Sequence, residues 1–410
     1  MEHQEKEISA YNKEYQDTLI QMKKDVPPYL EATLLMEAVE KHFSYENISQ
    51  HHPEVVILGS SIPEELVCAF GVCPYWVLGG SLQTGTWAGD AAPRDADPVS
   101  RSILGHLLGA ENLTRSPLIL LPIVSDSTRK LAYLLRRAGM KVHTVDIPPV
   151  KDEFAAEKYT EQLELCAEVL SIHTGKHLTR RALRESIEMV AQAHGEARRF
   201  LRLCKEKPGI FTAPWRMLIL FSYYCTRSIP RWTEVLTKLN DRMEADRAYR
   251  RPTDSGSVLL IGSPIYFPNY KIPFLLQDAG LYISTHMDYT TQKIYSLSAE
   301  AEPFTIPALA ERFYQADCSG AYAQNSTLQK SVAAILSHGG IDGVVCCVLK
   351  GQIEYDFELE RIEEQCNEWH IPVFRLETDY NQQDVEQLRI RMEAFSEMLR
   401  QRQLQRRKAV

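Results

Sequence analysis

No Cys-x-x-Cys pair, no phosphate-loop signature and no long apolar run occurs in these 410 residues, and each absence closes a class. Without a Walker or G-x-G-x-x-G pattern nothing marks a nucleotide-phosphate cradle. Gly79-Gly80 and Gly339-Gly340 are weak substitutes, so the chain is not expected to be an ATPase. No stretch approaches the roughly 18 apolar residues of a membrane span. The polar start, Met1-Glu2-His3-Gln4-Glu5, lacks the basic-then-apolar order of a signal peptide. No membrane association and a cytoplasmic location are therefore expected. Positive charge is also short: Lys and Arg total 46 against 54 Asp and Glu, a net charge of −8, which argues against nucleic acid as a partner. The basic stretch from Arg400 to Lys408 reads as the solvated end of a last helix, its cations complementing the dipole.

What is present is a soluble-type composition, 44% apolar and 24% charged, in a chain long enough for two or three domains. The nine cysteines are odd in number, so a disulfide framework is not expected. Cys166, Cys204 and Cys366 fall in helical patterns and read as small buried apolar residues. The histidines offer no partner spacing for zinc.

Continuous apolar runs of strand length alternate with helical patterns. The first half carries Val55-Val56-Ile57-Leu58, Tyr75-Trp76-Val77-Leu78, 118–124 and 141–146. The second carries Val258-Leu259-Leu260-Ile261, 281–284, 341–347 and 371–376. Strands of this kind are buried on both faces of parallel sheets. Four long helical patterns, 154–173, 179–206, 213–226 and 231–247, separate the halves. The fold class expected is α/β: two flavodoxin-like parallel-sheet domains around a central cleft, with a helical segment between them and an N-terminal helical extension. The boundaries read as 1–50, 51–150, 151–250 and 251–410. Ligands in such folds sit at the C-terminal strand ends, here near Ser60, Ser125, Gly262 and the loop after Cys347.

Several blocks in one order carry a resemblance. They are Pro63-Glu64-Glu65-Leu66 with Ala69-Phe70-Gly71 and Pro74; Arg101-Ser102; Ser125-Asp126-Ser127-Thr128; Gly262-Ser263-Pro264 with Pro268-Asn269-Tyr270-Lys271; and Asp342-Gly343-Val344-Val345 followed by Lys350-Gly351-Gln352. Together they resemble the 2-hydroxyacyl-CoA dehydratase/benzoyl-CoA reductase family, in particular 2-hydroxyglutaryl-CoA dehydratase beta subunits. The resemblance implies a [4Fe-4S] cluster held by three cysteines, at positions that here read Asp97, Ser125 and Gln352. Cluster iron is held by soft anionic thiolates; a carboxylate, a hydroxyl and a neutral amide do not replace three of them. The fallback thiols are Cys318, read as starting a helix at Asp317-Cys318-Ser319-Gly320, and the strand pair Cys346 and Cys347. Neighbouring strand residues face opposite ways, so at most one of that pair can reach the cleft.

The resemblance also implies the chemistry: elimination of water from an (R)-2-hydroxyacyl-CoA to the 2-enoyl-CoA by a ketyl radical route. It implies a heterodimer of related subunits, supplied with electrons by an ATP-dependent iron–sulfur activator protein. The reading that reconciles likeness with loss is a lyase subunit with no cofactor of its own, the [4Fe-4S] cluster residing in a homologous cysteine-bearing partner, and an acyl-CoA as substrate. A non-catalytic CoA-thioester-binding or regulatory protein of the same fold is the alternative, and a cluster in this chain on the fallback thiols is a third. Cleft candidates are Asp97, Ser125 and Gln352; substrate-binding candidates are Ser60, Ser61, Glu64 and Ser125. Ser125 also reads as a plain helix cap, the Ser60–Ser61 turn as the start of the helix at Pro63-Glu64. Glu354 and Asp356 read either as acid and base or as the opening of the next helix.

Overall fold

In the computed structural model, which describes residues 2–93, 96–110, 113, 117–246, 256–288, 290, 291, 293 and 303–409, the apolar runs form eight strands. The first sheet comprises β1 (Val55–Ile57), β2 (Tyr75–Trp76), β3 (Leu118–Ile123) and β4 (Lys141–Asp146). The second comprises β5 (Ser257–Gly262), β6 (Tyr282–Met287), β7 (Gly343–Leu349) and β8 (Val373–Thr378). Every pairing is parallel, and the orders are β2-β1-β3-β4 and β6-β5-β7-β8. The second order repeats the first, although the halves share no sequence repeat. Both are the flavodoxin-like order, whose switch point lies between the first and third strands.

Burial explains the two central strands. All six residues of β3 and all seven of β7 are buried, as sheets covered on both faces require. In β7, Val345 and Cys347 face an apolar cluster with Leu276, Met392 and Phe395; Val344, Cys346 and Val348 face another with Val332, Leu359 and Cys366. The edge strand β4, Lys-Val-His-Thr-Val-Asp, is mostly half-exposed and correspondingly polar.

Four helices lie between the sheets in sequence: Ala155–Thr174, Arg180–Glu206, Ala213–Phe221 and Ile229–Ala245. Their buried faces join the first sheet and the N-terminal helices Glu2–Met22 and Leu30–Phe43 in one continuous core, through Tyr11, Phe200, Trp215 and Leu239. The Trp215 indole donates to the Met22 carbonyl at 3.1 Å. Glu14 of the first helix accepts from the backbone N–H groups of Leu82 (2.8 Å) and Gln83 (3.2 Å), anchoring the helix Leu82–Trp87. That helix packs so closely on the helix Pro98–Gly109 that a Cβ on Gly105 would lie 1.7 Å from the Thr84 carbonyl.

Two local expectations fail. The segment after Asp317 is irregular rather than helical, lying between the helices Ile306–Ala316 and Ser326–Ser337. Asn325 caps the second of these, and its amide also donates to the Cys318 and Ser319 carbonyls at 2.9 and 3.1 Å. Ser60 and Ser61 do not cap the helix Glu64–Cys68; Pro63 stands at its N-cap with no side-chain bond. In the basic C-terminal stretch, the side chains of residues 406–410 lie outside the described residues.

Candidate functional site

Asp97, Ser125 and Gln352 come from three loops at the strand ends, and all three line one cavity of about 40 Å³ between the halves. Each has a backbone task. Asp97 caps the helix Pro98–Gly109, accepting from the N–H groups of Val99 (3.2 Å) and Ser100 (2.8 Å). Ser125 caps the helix Asp126–Arg137 in a reciprocal capping box with Thr128. Gln352 precedes the helix Ile353–Glu368 and reaches across the cleft, where its Nε2 donates to Asp97 Oδ1 at 2.8 Å. Chemistry fixes that amide's orientation, since the opposite one would set its oxygen against the carboxylate.

Gln352 Oε1 is thereby left buried with no hydrogen-bond partner among the described residues. Tyr266, Gly320, Glu354 and Tyr355 share the cavity. A volume of 40 Å³ has room for about three waters at roughly 10–15 Å³ each. Burial, reinforced by the negative charges of Asp97, Asp126 and Asp356, pushes the Glu354 carboxyl up to about 7. Glu354 also opens the helix, as does Asp356. The Asp356 side chain pairs outward with Arg375 at 2.5 Å, so the two carboxylates do not work on a common point.

Ser60, Ser61 and Glu64 do not join this cavity; all three are buried outside it, Glu64 and Ser61 in two separate polar clusters. Glu64 is 0% exposed. It accepts from Tyr223 Oη at 2.7 Å and from Lys293 Nζ, and His194 Nε2 lies 3.5 Å away. Burial opposes its charge, yet the Lys293 ammonium and His194 hold the carboxyl well below its usual range. Its neighbour Glu65 is pushed the other way, to about 7, by burial and then by Glu64 itself. Ser61 donates to Asp317 Oδ1 at 3.2 Å, and Ser319 and Tyr322 donate to Oδ2 at 2.7 and 3.1 Å. Ser60 Oγ is buried with no hydrogen-bond partner among the described residues. Lys293, His194, Tyr223 and Asp317 were not legible as a group, because their partners are up to 256 residues distant in sequence.

The fallback thiols are all buried. Cys318 and Cys346 belong to one apolar cluster and Cys347 to the other. Burial raises all three thiols, Cys347 to about 12, so each stays protonated at neutral pH. Among the described residues no group of three or more His, Cys, Asp or Glu side chains converges as a metal site. The donor set lining the small cavity does not fit a cluster either. Asp97 is engaged by two backbone N–H groups and an amide, Ser125 by its own helix, and Gln352 offers only a neutral oxygen.

Residues 60–399 match the family model described as "2-hydroxyglutaryl-CoA dehydratase, D-component". Among curated proteins the chain is similar to the "(R)-phenyllactyl-CoA dehydratase beta subunit" of Clostridium sporogenes, with 23% identity over 82% of this chain and 89% of that one. It is also similar to YjiM of Escherichia coli (strain K12), whose name assigns it provisionally as a dehydratase subunit, with 22% identity over 82% and 89%. Among the described residues no helix is long and apolar enough to cross a membrane.

Proposed function

The chain belongs to the 2-hydroxyglutaryl-CoA dehydratase D-component family, and on that premise we propose that it is the cluster-free subunit of a 2-hydroxyacyl-CoA dehydratase heterodimer. The assembled enzyme eliminates water from an (R)-2-hydroxyacyl-CoA to give the 2-enoyl-CoA, by the ketyl radical route the family likeness implies. In this reading the [4Fe-4S] chemistry belongs to a homologous cysteine-bearing partner, fed by an ATP-dependent iron–sulfur activator. This chain supplies the scaffold and the shared interface.

One observation carries the cluster-free assignment. The three loop positions do converge, but as a hydrogen-bonded Asp97–Gln352 pair beside a capped Ser125, in a space of about 40 Å³. Hard and neutral oxygen donors already committed to helix ends are poor ligands for iron that changes oxidation state. What these residues do is local: Asp97 and Gln352 tie the two halves together, and Glu354, titrating near neutrality, holds or releases a proton inside the seam.

The test is co-expression with a homologue that carries the three cysteines, under anoxic conditions. A stable complex is expected, with hydratase or dehydratase activity toward a 2-hydroxyacyl-CoA only when both chains and the activator are present. The lone chain, purified anaerobically, is expected to hold no stoichiometric iron and acid-labile sulfide; finding them overturns the cluster-free assignment. A chain that stays alone yet binds CoA thioesters is instead a stand-alone binder.

A further inference from the structure

A second cavity, of about 560 Å³, opens between the helical segment and the outer edge of the second sheet. That is within the roughly 300–1,000 Å³ of small-molecule sites. Its walls are largely apolar. Ala213, Met217 and Leu220 recur at i, i+4 and i+7 on one face of the helix Ala213–Phe221, and Leu201, Met287 and Ile335 complete the enclosure. No aspartate or glutamate lines it among the described residues. Of its cations, Arg202 is 59% exposed and pairs with Glu206 and Glu244 at 3.3 and 3.5 Å. Arg198 has an interaction of its own, and Lys205 is exposed to solvent.

Two polar groups are fixed within these walls. Arg216 shares the face of Ala213 and Leu220 and is buried. It donates to Tyr282 Oη at 2.9 Å and to the Ile283 carbonyl, and it makes no ion pair among the described residues. Those bonds hold the guanidinium in place and leave other N–H donors of its five unused. The second group is His286, whose Nε2 lies 3.2 Å from Asp288 Oδ2. Asp288 stands outside the lining, and its Oδ1 accepts from the Thr291 N–H at 2.8 Å. Burial opposes the Asp288 charge, yet His286 and the Thr291 and Ile265 N–H groups hold its carboxyl below the usual range. The other ring nitrogen of His286 has no partner among the described residues.

A bulge delivers His286 to this wall. Ile283 pairs with Val258, but Thr285 rather than Ser284 pairs with Leu259, so His286 falls opposite Leu260. The extra residue turns His286 onto the sheet face that Val258, Leu260 and Ile283 share with Ala213; an unbroken strand would have pointed it the other way.

Counting charge selects the ligand. Asp288 offsets a protonated His286 and the two glutamates offset Arg202, which leaves Arg216 as one buried positive charge. A buried cation without a counter-charge is costly. One negative charge cancels it, whereas a doubly charged phosphate would carry an excess into an apolar space. A carboxylate also matches the planar fork of a guanidinium. We propose that this cavity binds the free anion of an aliphatic monocarboxylic acid, with Arg216 and His286 meeting the carboxylate and Leu201, Met217, Leu220 and Ile335 the chain. The ligand carries no thioester and no nucleotide. The site stands apart from the Asp97–Gln352 seam, and the inference holds whether or not the chain assembles with a partner.

Calorimetric titration of the full chain with octanoate, octanol and octyl phosphate tests it. Octanoate is expected to bind saturably, one molecule per chain. Octanol and octyl phosphate are each expected to bind about tenfold more weakly or worse, since octanol forfeits a charge-assisted hydrogen bond and octyl phosphate brings surplus charge. Arg216→Met is expected to lower octanoate affinity by a similar factor and to leave that for octanol unchanged. Ile335→Trp, which fills the cavity from a different helix, is expected to abolish binding of octanoate and keeps the test sound if Arg216→Met folds poorly. Four results overturn the proposal: no octanoate binding, octanol binding as tightly as octanoate, octyl phosphate binding more tightly than octanoate, or octanoate binding that survives Ile335→Trp.

Discussion

Replacing Glu354 by Gln separates its charge from its shape. Burial and three nearby carboxylates raise its carboxyl from an ordinary 4.5 to about 7 in the folded chain. The folded state therefore holds this proton more tightly than the unfolded one. The stabilisation is fully present below pH 4.5 and is lost as pH rises through 7, where the folded protein must carry a half-buried negative charge. The separation between the two values, at about 1.4 kcal/mol per pH unit, amounts to roughly 3 kcal/mol. Glu65 titrates in the same window, but it is common to both proteins and cancels in their difference. Urea unfolding of wild type and Glu354→Gln at pH 5 and pH 8.5 reads the effect. The variant is expected to gain up to about 3 kcal/mol on wild type between the two pH values. A difference that does not change with pH would refute the reasoning, because a purely steric effect of the amide is blind to pH.

Breaking the buried Glu64–Lys293 pair by Glu64→Gln or Lys293→Met is expected to cost about 3–5 kcal/mol in unfolding measurements, with the double variant recovering much of the loss. Glu14→Ala removes an acceptor shared by the Leu82 and Gln83 N–H groups; a loss of about 1–3 kcal/mol, with faster amide exchange at those two residues, is the expected result. Alkylation of the native chain is expected to modify exposed Cys73 first, before the seven buried thiols, as mass mapping of the labelled peptides would read.

Much of the sheet framework was legible because central parallel strands advertise themselves: Leu118-Ile119-Leu120-Leu121 and Val344-Val345-Cys346-Cys347 are apolar without alternation. The facing of the Cys346–Cys347 pair followed from strand geometry alone. The convergence of Asp97, Ser125 and Gln352 was suggested by the family likeness, whereas the Asp97–Gln352 bond depends on a 255-residue separation that no local pattern encodes. The Asp317 segment read as a helix start, and an acid at such a position commonly caps one. Its carboxylate is instead consumed by Ser61, Ser319 and Tyr322, so tertiary partners outbid the local preference. Glu64 and Glu65 read as the acids of a helix's first turn, Glu64 also as a substrate-binding candidate; only the folded chain reveals that Lys293, His194 and Tyr223 close over Glu64.

The family-matched span begins at residue 60, yet β1, which pairs with both β2 and β3, ends at Ile57. A protein trimmed to the recognised span would lose an interior strand, leave β2 with no neighbour, and strip away the helix whose Glu14 grips Leu82. Anyone producing a shortened version should expect insoluble material, and anyone comparing homologues should look for a counterpart of those first 59 residues even where similarity has faded.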